Sequence, residues 1–177
     1  CNGASTGSID LSVTGGVAPY TYDWGAGQPT TQDRTGLAAG TYTVIVTDFN
    51  KCSKSLSVII AQPTALVLSS TQVNVLCNGA STGSIDLTVN GGVAPYTYNW
   101  GAGQPTTQDR TGLAAGTYNV IVTDANGCSK TTGITITEQS LITLSTTQVN
   151  VLCNGASTGS IDLTVSGGVA PYTYNWG

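Results

Sequence analysis

The chain has 177 residues, enough for one to three small domains, with only 8% charged residues and a net charge of −4. Lys and Arg number five, too few for a basic face that could displace counterions from nucleic acid or adsorb to anionic lipid, and no apolar run approaches the roughly 20 residues of a membrane span. The chain has no histidine, so it holds no Ser-His-Asp or Cys-His arrangement, and its five cysteines show no C-x-x-C spacing for zinc; they read as disulfides of an oxidising compartment.

The first element is CNGASTGSIDL, and it opens again at Cys77 and at Cys153, which sets a period of 76 residues. Residues 1–48 and 77–124 differ at four places, Ser12/Thr88, Thr14/Asn90, Asp23/Asn99 and Thr43/Asn119. All four are polar slots of predicted strands, where exchange costs within about 0.5 kcal/mol. A unit this long can bury its own core. The expected domains are therefore a partial first repeat at 1–61, a complete second repeat at 62–138 and a partial third at 139–177. With no methionine, and with Gly177 falling inside an aromatic segment, the chain reads as a window cut from something longer.

Within the second repeat, Leu66–Leu76 is expected to be a first strand interrupted at Ser69-Ser70, followed by a polar loop over Asn78–Gly83. Ser84–Asn90 alternates, with Ile85, Leu87 and Val89 on one face and Asp86, Thr88 and Asn90 on the other. Gly91-Gly92 makes a turn, and Tyr96–Trp100 alternates again. Residues 101–116 are Gly-rich, with room for a short edge strand around Thr106–Thr111. Thr117–Thr123 is the strongest strand, with Tyr118, Val120 and Val122 inward. Asp124–Gly127 turns, and Ile134 and Ile136 mark a final strand. No window has a helical period. Six or seven short strands with turns every 8–12 residues predict an all-β fold of tandem Ig-like β-sandwich repeats forming an extended rod or filament. Trp24, Trp100 and Trp176 recur on the third strand as core residues. Tyr42 and Tyr118 end a Leu-Ala-Ala-Gly-Thr-Tyr pattern that looks like a tyrosine corner.

Cys1–Cys52 and Cys77–Cys128 share one spacing, which favours a bridge within each repeat worth roughly 4 kcal/mol on the chain-entropy model. Two rivals stay open. Cys52–Cys77 would staple neighbours across the connector, and Cys1–Cys128 would join one repeat's opening loop to the next repeat's late turn. Cys153 has no partner of either kind within the sequence.

Catalytic chemistry is poorly supplied. Asp86 and Asp109 recur and could be set out as a carboxylate pair, but hydrogen bonding in loops and on the outer sheet face is the better reading. Asp124-Ala125-Asn126-Gly127 faintly resembles a calcium loop, yet it lacks the further carboxylates, and the first copy places Lys51 inside it. Gly101-Ala102-Gly103 precedes no helix and is no phosphate loop. The chain therefore reads as having no catalytic residue, no cofactor and no metal ligand. The Tyr-Thr-Tyr-Asn-Trp strand could stack on sugars if exposed; core packing is the better use of its inward face.

The string C-N-G-x-x-x-G-S-I-D-L-x-V-x-G-G-x-x-P-Y-T-Y-x-W, followed by L-x-A-G-T-Y-x-V-x-V-T-D-x-N-x-C, resembles the SprB-type repeat of giant surface adhesins of gliding Bacteroidota. Phe49-Asn50-Lys51 departs from it where the second copy has Ala125-Asn126-Gly127. The resemblance implies a long cell-surface filament, exported by the type IX system and moved by surface motors, with no catalytic residues. The expected function is thus the structural stalk of an extracellular adhesin at the cell surface, mediating attachment and gliding motility. The expected partners are neighbouring repeats, lateral copies in a fibre and surface polysaccharide. An array of carbohydrate-binding modules and a self-assembling matrix fibre are the alternatives.

Overall fold

A computed structural model describes residues 1–177, all as strands, turns and loops, in two compact units. The first unit comprises Cys1–Val67 with Asn90–Tyr96 and Thr123–Ser129. It holds β1 (Gly7–Ile9), β2 (Thr21–Asp23), β3 (Arg34–Leu37), β4 (Gly40–Thr47) and β5 (Ser53–Ile60). β1 pairs with β3, and β4 lies between β2 and β5 in a second antiparallel sheet. Alternation in β4 turns Tyr42, Val44 and Val46 to one face, opposite Val58 and its neighbours on β5. Ile9, Leu11 and Leu37 close on that face from the β1–β3 side. With Trp24 and Val44 they make a buried core, against which Val13, Tyr22, Tyr42, Val46, Val58 and Ile60 pack. Two small sheets with one apolar core between them form the sandwich expected from the pattern.

The second unit comprises Leu68–Val89, Thr97–Val122 and Lys130–Gly177. Its strands are β6 (Val67–Val73), β7 (Gly83–Asn90), β8 (Thr97–Asn99), β9 (Arg110–Leu113), β10 (Gly116–Thr123), β11 (Ser129–Ile136), β12 (Thr143–Val149) and β13 (Ser160–Ser166). The sheets are β6-β7-β9, β11-β10-β8 and the pair β12-β13. Val75, Ile85, Leu87, Trp100, Leu113, Val120, Val122, Ile134 and Ile136 are buried. β7 has partners on both sides and runs eight residues; β1, with β3 alone beside it, runs three.

Three local readings change. Ser69 and Ser70 sit inside β6 without breaking it, since on an outer strand their hydroxyls face solvent or a half-buried rim. The edge strand falls at Arg110–Leu113 rather than Thr106–Thr111, because Thr107 is used to hold a tryptophan. Lys51 takes the left-handed turn position at φ 70°, as Gly127 does at 75°, so the turn survives the loss of its glycine.

Candidate functional site at the repeat junction

The Cys-Asn-Gly loops at Cys1 and Cys77 each fold back on the connector that follows 59 to 61 residues later. In the first unit, Asn2 Nδ2 donates to Pro63 O at 3.0 Å and Gly3 N donates to Gln62 Oε1 at 2.7 Å. Two residues on, Thr64 O accepts from Gly92 N at 3.0 Å. Gly91 and Gly92 are held at φ 72° and 64°, and a Cβ on Gly91 would stand 2.0 Å from Ala65 O, so only glycine lets the connector pass there.

The late turn lies beside this contact. Asp124 Oδ1 accepts from Asn126 N and Cys128 N, each at 2.9 Å, and Oδ2 accepts from Val93 N at 3.1 Å. Ala125 N returns to Val93 O at 2.8 Å. Burial pushes the Asp124 carboxyl up, but those three N–H donors, helped by the positive amino terminus, prevail and hold it below its ordinary 3.8. Both oxygens are engaged with backbone, so the turn that faintly resembled a calcium loop is a hydrogen-bonded staple.

Linkage gives this staple a pH signature. Folding favours the charged form, so the contribution of Asp124 is complete above the unfolded value near pH 4 and is lost as pH falls through the lower folded value. The Asp124→Asn variant is expected to be less stable than the parent at pH 7 and to lose less stability below about pH 4 in urea titrations. Parallel pH profiles for the two proteins would remove Asp124 from this role.

The disulfide runs from Cys1 to Cys128, with a Cα–Cα distance of 5.3 Å. This corrects both favoured pairings, Cys1–Cys52 and Cys77–Cys128, and is the rival that joins one repeat's opening loop to the next repeat's late turn. Cys52 directly precedes β5, whose Ser53 pairs with Thr47; Cys1 sits by Gln62, just past the other end of β5, where Ile60 pairs with Gly40. Eight strand residues separate the two ends by roughly 25 Å, against the ~7 Å limit for a bridge. Cys52, Cys77 and Cys153 are exposed free thiols.

The same contacts recur one period later, inside the second unit. Asn78 Nδ2 donates to Gln139 O at 3.2 Å, Gly79 N to Glu138 Oε2 at 2.6 Å, and Gly168 N to Ser140 O at 2.9 Å. Val75 N also donates to Thr137 O at 2.9 Å, and Asn74 Oδ1 accepts from Thr137 N at 3.0 Å.

Trp24 and Trp100 are buried, their Nε1 groups donating to Thr31 O and Thr107 O at 2.8 Å, so neither offers a stacking face to a sugar. Trp176, expected in the core with the other two, is instead 67% exposed, because no strands of residues 1–177 pack over it as β9–β11 do for Trp100. Tyr42 and Tyr118 are half-buried, with hydroxyls donating to Ala38 O and Ala114 O at 3.0 Å in the manner of a tyrosine corner. Asp86 is exposed on β7, whereas Asp109 accepts from Leu87 N at 3.0 Å.

Several contributors escaped the sequence reading. Arg34 and Arg110 lie over the Trp24 and Trp100 rings at 5.4 and 5.5 Å, each also held by a glutamine, Gln28 or Gln104. The exact recurrence of an Arg at a fixed distance from each Trp was a usable signal. Gln32 and Gln108 Nε2 donate to Leu11 O and Leu87 O. The Ala-Pro bonds at Pro19, Pro95 and Pro171 are cis.

The family model described as SprB repeat matches residues 1–29, 69–105 and 145–177, more than half of the chain. The search of curated proteins finds no match.

Proposed function

We propose that this chain, which belongs to the SprB repeat family, is a spacer segment in the stalk of a cell-surface adhesin, giving reach and bearing tension with no active site in any repeat. The repeats of this family are structural and belong to cell-surface proteins. The observation that carries the reading is the recurrence of the junction. Asn2, Gly3 and Gly92 use the same bonds as Asn78, Gly79 and Gly168, although the connector changes from Gln62-Pro63-Thr64 to Glu138-Gln139-Ser140. Most of these bonds end on backbone carbonyls, so a connector can vary in sequence and keep its place. A device repeated at every period serves a long polymer better than a local binding site.

The wider setting extends the same proposal. The stalk lies outside the cell, where an oxidising medium preserves Cys1–Cys128. It carries a terminal adhesive region to a substratum or surface polysaccharide. In a gliding member of the Bacteroidota, with the filament exported by the type IX system, it transmits traction from surface motors.

Small-angle scattering of the oxidised chain tests the spacer reading. A compact particle of this length has a radius of gyration of about 16 Å. Repeats set end to end, each advancing by about 35–40 Å, give a value of roughly 25 Å or more. A value near the compact limit would sink the spacer. Growth of the particle with concentration would point instead to lateral assembly into a fibre.

A further inference from the structure

The chain presents the same glycine-lined face three times, at Gly15, Gly91 and Gly167. A Cβ on Gly91 would meet Ala65 O at 2.0 Å, and one on Gly167 would meet Leu141 O, one period on, at 1.9 Å. Gly15 has the same backbone, φ 78°, and nothing within 4 Å of the place its Cβ would take. A groove of about 200 Å³ lies there, lined by Gly15, Gly16, Tyr20, Asp48, Cys52 and Lys54 among others.

The framework of the face at Gly15 is already that of its counterpart at Gly91. Asp48 accepts from Val17 N and Cys52 N at 3.1 and 2.8 Å, as Asp124 accepts from Val93 N and Cys128 N at 3.1 and 2.9 Å. Phe49 N donates to Val17 O at 2.8 Å, as Ala125 N does to Val93 O. Cys128 carries the bridge to Cys1; its counterpart Cys52 is an exposed free thiol.

We infer that the face at Gly15 and Cys52 takes the Cys-Asn-Gly loop and connector of another repeat of the same kind, as its counterpart at Gly91 and Cys128 does, with the leading cysteine of that repeat bonding to Cys52. The inference rests on the tandem spacer reading and adds to it a pairing rule. The leading cysteine of one repeat joins the late-turn cysteine of the next, 127 residues onward. Cys77 and Cys153, both exposed thiols, are by this rule donors to the late turn of a following repeat. No repeat then holds a bridge of its own; each is bound once to the repeat before it and once to the repeat after it.

The bond forms with a low-molecular-weight disulfide as oxidant. One cysteine thiolate attacks that disulfide, making a mixed disulfide and releasing one small thiol. The second cysteine thiolate displaces the other small thiol. Two protein thiols are oxidised, one small disulfide is reduced to two thiols, and the two protons pass to the departing thiolates.

The test is the full chain extended at its N-terminus by one further copy of residues 1–76, oxidised with glutathione disulfide and mapped without reduction. Two links are expected: Cys1–Cys128, and the added leading cysteine to Cys52. Native alkylation of Cys52 should fall at least tenfold relative to the unextended chain. The Cys52→Ser form of the extended chain should keep Cys1–Cys128 and leave the added leading cysteine open to alkylation. The rule is overturned if Cys52 stays reactive beside an intact Cys1–Cys128. It is equally overturned if Cys52 bonds to the added late-turn cysteine or to Cys52 of another chain, or if Cys1–Cys128 is itself missing. A compact scattering profile with Cys52 correctly bridged would defeat the spacer reading and leave this pairing standing.

Discussion

Replacing Trp100 by alanine is expected to destabilise the second repeat by about 3–5 kcal/mol, the range for removing a large buried aromatic side chain. Trp100 is only 8% exposed and lies in the unit whose core includes Leu87, Leu113 and Val120. Its loss does more than open a cavity. The indole N–H that holds Thr107 O disappears, and the loop over Thr106–Asp109 is freed at one anchor. Arg110 also loses the ring beneath its guanidinium, while its Nη1, buried without a hydrogen-bond partner, stays in place with less to compensate it. Urea denaturation followed by circular dichroism reads the effect. Trp176→Ala is the control; with that side chain 67% exposed, a change within about 0.5 kcal/mol is expected. A Trp100→Ala loss as small as the control's would show that the ring does not belong to the core.

Breaking Cys1–Cys128 is expected to have the other large effect. The bridge closes a span of 127 residues, for which the chain-entropy model gives about 5 kcal/mol. The mechanical consequence is larger still. When the chain is pulled from its two ends, tension passes through the sulfur bridge and bypasses everything between Cys1 and Cys128. Only the segment from Cys128 to Gly177 can then be drawn out, a contour of roughly 180 Å at ~3.6 Å per residue, against roughly 630 Å for the reduced chain. Single-molecule stretching with and without a thiol reductant, or with Cys128→Ser, measures this directly. Equal extension of the oxidised and reduced chains would mean that the bridge carries no load.

The Asp124 staple bears on this second result, since it sets the turn from which Cys128 projects. Its N–H donors come from Val93 and from Asn126 and Cys128, so the turn is tied to the strand-end loop by bonds that do not run through the disulfide. This is why reduction is expected to loosen the junction without unfolding the turn, whereas Asp124→Asn weakens the turn with the bridge intact.

By itself the sequence determined the period, the all-β class, the strands carried by Ile85, Leu87, Val120 and Val122, and the family. These follow from local regularities: alternation at a two-residue period, turn residues at fixed places, and identity at a spacing of 76 residues. It also marked the cysteines and tryptophans by their recurrence; of these, Cys1 and Cys128 form the bridge and Trp24 and Trp100 are buried, whereas Cys52, Cys77, Cys153 and Trp176 are exposed. What only the tertiary structure decided is which cysteine meets which, and that Arg110 and Asp124 are buried internal ties and not surface charge. Spacing counts residues along the chain, whereas a bridge needs two Cα atoms within about 7 Å. The Cys1 loop and the Cys52 turn lie at opposite ends of β5, and that distance appears only when β5 is laid against β4. The exposed Trp176 has the same origin. Its residue type and position match those of Trp100, but burial is conferred by strands from farther along the chain, which for Trp100 are β9–β11.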